Sequence, residues 1–145
     1  MTIRLAVPDT TALTAGLAEL REAISAYTGG NARIVQNGAA ALWIGLPDHD
    51  PLFNQQCRKD GSWPNARIGL QGYVLVIAPD QIRLAAQEPV GLFYGIQTLV
   101  QLLRNSDDSR LSCRTIVDWP ELAWRGIMDD ISRGPVPTTP FVKQQ

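Results

Sequence analysis

The sequence predicts an α+β fold: a sheet with two helices packed on one face. Three observations carry this. Residues 2–7 alternate polar and apolar, with Ile3, Leu5 and Val7 on one side, the period of a strand. Residues 73–78 and 82–86 alternate in the same way around Pro79-Asp80-Gln81, a proline-and-Asp turn that makes them a β-hairpin. Residues 89–104 then change period. Leu92, Phe93, Ile96, Leu99, Val100 and Leu103 fall on one wide face of a helix, with Pro89 in its first turn.

The remaining elements follow in order. After Pro8-Asp9, Thr10 or Thr11 is the expected cap of a helix running to Tyr27. Leu13, Leu17, Leu20 and Ile24 stand at helical spacing, and Gly29-Gly30 ends the helix. Residues 32–35 and 40–46 read as strands joined by a tight Asn37-Gly38 turn. Residues 47–66 hold Pro47, Pro51, Gly61 and Pro64 with little periodicity, and are expected to form a long loop. Gly91 and Gly95, one turn apart, bare a strip of helix backbone for close approach to a neighbour. Residues 112–117 read as a strand, and residues 124–130 as another. Thr138-Thr139-Pro140 opens a further helix. A strand followed by a helix is the unit that a (β/α)8 barrel repeats eight times, and here it occurs once.

At 145 residues, 45% hydrophobic and 19% charged, the composition is that of an ordinary globular domain. The net charge of −1 supplies no electrostatic case for nucleic acid or an anionic membrane as partner, and no apolar run is long enough to span a bilayer. Met1 to Arg4 lacks the pattern of a signal peptide, and no compartment is assigned. Cys57 and Cys113 form no metal motif. Separate thiols are weighted above a disulfide. Asp48-His49-Asp50 is read as a solvated loop rather than a metal site, because adjacent residues do not easily converge on one ion. Trp43 and Trp124 are assigned to the core, and Trp63 is the surface candidate for stacking on a sugar ring. For Arg125, the residues alone favour a structural pairing with Asp129 or Asp130.

The runs GYVLVIAPDQIRLAA at 72–86 and GLFYGIQTLVQLL at 91–103, with IVDWPELAWRGIMDDISR at 116–133, resemble glycoside hydrolases of family 20, the β-N-acetylhexosaminidases. The first two are similar to the small domain preceding that family's barrel, and the third to its first barrel strand. The resemblance implies an accessory domain over residues 1–117 and the start of the catalytic barrel over 118–145. It implies that Arg125 is similar to an arginine at the floor of the sugar pocket, where its rigid fork of donors suits neighbouring hydroxyls. Asp130, Ser132 and Arg133 match the strand-end pattern Asp-x-Ser-Arg and are expected to shape and brace that pocket. Asp129 and Gly134-Pro135 depart from the usual residues, which puts substrate preference in doubt.

For the parent enzyme, the resemblance implies removal of terminal β-linked N-acetylhexosamine with retention, the substrate's acetamido oxygen acting as nucleophile. The catalytic Asp-Glu pair of that scheme belongs to a mid-barrel strand, so no catalytic residue is assigned in this chain. Carbohydrate and the remainder of the barrel are the implied partners, with no metal or organic cofactor. Two rivals are carried: the front domain of another carbohydrate-active enzyme (an α-glucuronidase or O-GlcNAcase-like enzyme), and a non-enzymatic carbohydrate-binding or interaction module. A tail strand bearing Trp124, Ile127 and Ile131 without neighbours also predicts self-association.

Overall fold

A computed structural model describes residues 1–35, 38–106, 110–126, 128 and 137–142. The strands are β1 (Thr2–Ala6), β2 (Arg33–Val35), β3 (Leu42–Gly45), β4 (Tyr73–Ile77), β5 (Ile82–Ala86) and β6 (Arg114–Asp118). The helices are α1 (Thr14–Thr28), α2 (Pro51–Asp60), α3 (Pro89–Arg104) and the short α4 (Thr139–Val142). The six strands form one sheet in the order β2-β1-β3-β5-β4-β6. β2, β1, β3 and β5 run parallel, while β4 is antiparallel to both β5 and β6.

The α+β expectation holds, with α1 and α3 side by side on one face. Alternation sends Ile3, Leu42, Ile44, Leu75 and Leu84 to that face, against Leu17, Leu20 and Ile24 of α1 and Leu92, Ile96 and Leu99 of α3. Each such side chain, once buried, contributes on the order of 1.5–3 kcal/mol. The hairpin pairs Leu75 with Leu84 and Ile77 with Ile82. α3 folds back over it at the glycine strip, where a Cβ on Gly95 would meet Leu84 and the Tyr73 ring. Gly29, at φ 67°, takes the left-handed position that ends α1. The start of α1 differs from the expectation. A single 3-10 turn, Thr11–Leu13, leads into it and no threonine side chain caps it; Asp9 Oδ1 instead accepts from the N–H and hydroxyl of Thr11 at 2.9 and 2.7 Å, just before that turn.

Three other expectations are corrected. β2 and β3 are not a hairpin; they flank β1, which pairs through Ile3 with both Ile34 and Leu42. That arrangement gives the apolar β1 two neighbours instead of leaving it at an edge.

Residues 47–66 are not one long loop but contain α2. Asp50 caps it, with Oδ1 accepting from the N–H groups of Leu52 and Phe53. Pro51 fills the first turn, and Gly61 closes it at φ 74°. α2 covers the opposite face of the sheet. There Ala6, Gly45 and Ala85 form a row of small residues across three strands, and the fully buried Phe53 and Cys57 pack against it. A Cβ on Gly45 would stand 3.0 Å from the Phe53 ring, so the row makes room for that side chain.

The tail strand is the third correction. Residues 124–126 and 128 are not in a strand, and Trp124, assigned to the core, is 94% exposed. A strand needs a neighbour for its N–H and C=O groups, and among the described residues no strand pairs with these. The rest of the expected strand lies outside the described residues.

Candidate functional site

A polar surface lies where β4, β6 and α3 meet the chain beyond β6. Tyr73 of β4 and Asp118 of β6 are partners in register, so the sheet fixes their side chains on the helix-bearing face. The Tyr73 hydroxyl donates to Asp118 Oδ2 at 3.2 Å and shares a 2.6 Å hydrogen bond with Thr98 of α3. Burial raises the Tyr73 pKa; the Thr98 bond opposes this and the Asp118 charge adds to it. With its pKa raised, this phenol stays protonated at neutral pH and is not poised to act as a base.

One turn of α3 earlier stands Tyr94, and just before β4 stands Gln71. Together they hold Arg125. Its Nη2 donates to Tyr94 Oη at 2.9 Å and to Gln71 Oε1 at 3.0 Å, while Nη1 donates to the Leu122 carbonyl at 2.5 Å. The guanidinium lies 5.3 Å from the centre of the Tyr94 ring, and Gln71 Nε2 donates to the Ala123 carbonyl at 3.0 Å. Three of the five guanidinium hydrogens are thereby engaged. Gln97, Gln101, Trp119 and Pro120 complete a shallow groove beside it. The groove offers amides, hydroxyls, a carboxylate and an aromatic edge, but no nucleophile paired with a base.

Arg125 is the one expected substrate-binding residue that falls in the described part, and two of its partners, Gln71 and Tyr94, come from before β4 and from α3. Asp130, Ser132 and Arg133 lie outside the described residues, as does Asp129, the alternative partner of Arg125. Sequence reasoning missed Gln71 and Tyr94. They stand 54 and 31 residues from Arg125, and no local pattern marks such a contact.

The other singled-out residues have plainer settings. Asp50 is more than a loop residue: besides capping α2, it pairs with Arg4 at 3.2 Å, while Asp48 and His49 are exposed. Among the described residues no group of three or more His, Cys, Asp or Glu is placed to hold a metal ion. Trp43 is half-buried, 5.1 Å from the Phe53 ring and under the Arg4 guanidinium. Trp63, the expected sugar-stacking surface, already carries the Arg58 guanidinium 3.9 Å from its ring centre. Cys57 is buried and Cys113 exposed, both free. No helix among the described residues is long and apolar enough to cross a membrane.

Comparison with known proteins gives these residues a context. Residues 2–119 match the model of glycosyl hydrolase family 20, domain 2. The β-hexosaminidase subunit β of Entamoeba histolytica is 32% identical over 85 residues, which cover 56% of this chain and 15% of that protein. The chain thus spans about a seventh of that relative. Among solved structures, the Flavobacterium johnsoniae chitobiase aligns with a TM-score of 0.62 at 23% identity, over 93% of this chain and 20% of its own. A 4-O-methyl-α-glucuronidase with specificity for decorated arabinogalactans aligns with a TM-score of 0.58 at 20% identity, over 72% of this chain and 13% of its own. At these identities the structural matches establish the fold, which is shared across carbohydrate-processing enzymes. The match to the family model extends over most of the sequence, and the chain belongs to glycosyl hydrolase family 20, through that family's domain 2.

Proposed function

We propose that this chain is the accessory domain and first barrel segment of a β-N-acetylhexosaminidase-like glycoside hydrolase. The parent removes terminal β-linked N-acetylhexosamine with retention of configuration. The observation that carries this reading is the family 20 domain 2 match over residues 2–119. The chain divides at about residue 117, with β6 closing the accessory sheet and residues 118–145 leading into the barrel. Carbohydrate and the rest of the barrel are the partners. Asp130 and Arg133, in the Asp-x-Ser-Arg pattern, shape and brace the sugar pocket. Arg125 acts at the junction: three of its N–H groups are tied to Gln71, Tyr94 and Leu122, which leaves two for a sugar hydroxyl.

Hydrolysis of a chromogenic β-N-acetylglucosaminide by the full-length parent tests this, with Arg125→Ala and Arg133→Ala beside the wild type. A hydrogen bond from a charged donor is worth about 1.5–3 kcal/mol, so loss of a sugar contact lowers kcat/KM roughly 10- to 150-fold. That loss in both folded variants supports a sugar contact at Arg125 and a pocket-bracing role at Arg133. In Arg125→Ala, a fall in Tm at unchanged kcat/KM returns the residue to a purely structural role. Absence of hydrolysis by the wild type overturns the reading. The second reading is the front domain of a different glycosidase, favoured by the likeness to the α-glucuronidase. It is supported instead by release of a uronic acid.

A further inference from the structure

The sheet has two ends, and they are built differently. β2 at one end is three residues long, a short edge of the kind that discourages pairing. β6 at the other end runs for five residues, Arg114-Thr115-Ile116-Val117-Asp118, without proline, glycine or lysine. Among the described residues nothing pairs with its outer side. Ile116 is half-buried against the core, Val117 is 48% exposed, and Arg114, Thr115 and Asp118 are exposed. Its centre is entirely β-branched, the composition that favours an extended chain.

We propose that β6 pairs antiparallel with β6 of a second copy of this chain, about a two-fold axis through Ile116, so that two sheets become continuous. Charge complementarity selects this partner and this register. Centred on Ile116, the pairing sets Arg114 of each copy opposite Asp118 of the other, Thr115 opposite Val117, and Ile116 opposite its own counterpart. The two-fold axis makes the interface isologous, so each favourable pair occurs twice. Arg114, Ile116 and Asp118 share the helix-bearing face, while Thr115 and Val117 share the face that carries α2. Moving the axis to Thr115 sets Arg114 against Ile116 and loses both ion pairs. Parallel pairing in register stacks Arg114 on Arg114 and Asp118 on Asp118, which is repulsive. The charged groups keep capacity for the contact. Arg114 uses Nε on the Ser112 carbonyl and Asp118 uses Oδ2 on Tyr73, leaving the Nη groups and Oδ1.

Sedimentation equilibrium of the full-length parent and of the 145-residue chain tests the proposal, with circular dichroism to verify folding. A reversible, concentration-dependent dimer is expected of both. Asp118→Arg turns both cross-strand pairs from attraction to repulsion and weakens the dimer roughly tenfold or more. The exchange Arg114→Asp with Asp118→Arg restores it, which a mere folding defect at Asp118 does not explain. In a Cys113→Ser background, Ile116→Cys cross-links two copies on oxidation, whereas Thr115→Cys, facing Val117, does so far less. A monomer at every concentration overturns the proposal, as does a full-length parent that stays monomeric because its own chain covers β6. A dimer indifferent to charge reversal, or equal cross-linking at residues 115 and 116, overturns it as well.

Discussion

Asp50 uses its two oxygens for different tasks: Oδ1 caps α2, and Oδ2 pairs with Arg4 on β1. At the other end of α2 the arrangement repeats. Asp60 Oδ1 accepts from the N–H and hydroxyl of Ser62, and the carboxylate pairs with the buried Arg83 of β5. Each helix end is thus tied to a strand by an Asp–Arg pair. Asp50→Ala is expected to cost about 2.5–4 kcal/mol, about 1 from the cap and about 1.5–3 from the charged bond. Asp50→Asn keeps the cap acceptor and loses only the second part. Urea denaturation of the two variants separates the contributions, and equal losses would deny Asp50 its double role. Cys57, between these ends, has its thiol pushed up to about 11, chiefly by burial, with Asp60 adding and Ser62 and Arg83 opposing. The unfolded thiol titrates near 9 and so releases its proton first. The stability this thiol contributes is therefore complete below about pH 9 and lost as pH rises towards 11. An alkylating reagent at pH 8 is expected to label Cys113 in the folded protein and Cys57 only on unfolding.

At the scale of elements, α3 and the hairpin beneath it depend on contact without side chains. A Cβ at Gly95 would meet Leu84 and the Tyr73 ring. Alanine offers about 1 kcal/mol of helix propensity there. Overpacking in a filled core costs about 1–3 kcal/mol. Because Leu84 is fully buried and has nowhere to turn, the second term is expected to win, and thermal melts of Gly95→Ala should show a lower Tm. The glycine strip, the hairpin and the span of α3 were legible because each rests on local period or turn chemistry. α2 was equally local, and its signal was misread. Asp50-Pro51 is a cap followed by a first-turn proline, and Gly61 a left-handed stop; taken singly, the same residues resemble loop breakers. Its weak apolar pattern, two buried residues among ten, supplied no competing period.

For the molecule as a whole, few described bonds cross the boundary after β6: Gln71 to Ala123, and Arg125 to Gln71 and Tyr94. All are on exposed groups. A chain ending at residue 119 is therefore expected to keep its cooperative unfolding and nearly all of its Tm. One ending at 112 loses β6, uncovers β4, and is expected to be several degrees less stable. Limited proteolysis followed by calorimetry compares the two, and a large loss in the 1–119 piece would contradict a domain that closes at β6. The candidate site belongs to this scale too. Arg125 was legible as a singular residue, but its holders were not, because α3 and the start of β4 reach it only once the sheet has formed.

What the sequence determined by itself is the set of strands and helices that follow from period and punctuation, the α+β class, and the family likeness carried by residues 72–103 and 116–133. Tertiary structure alone decided the order of the strands, with β1 between β2 and β3. It also decided the use of the second face, where Ala6, Gly45 and Ala85 align only after three strands are in register. The physical reason is the same in each case. Hydrogen bonds and side-chain periods within one element act over a few residues, whereas strand order, the small-residue row and the grip on Arg125 arise from contacts between segments tens of residues apart.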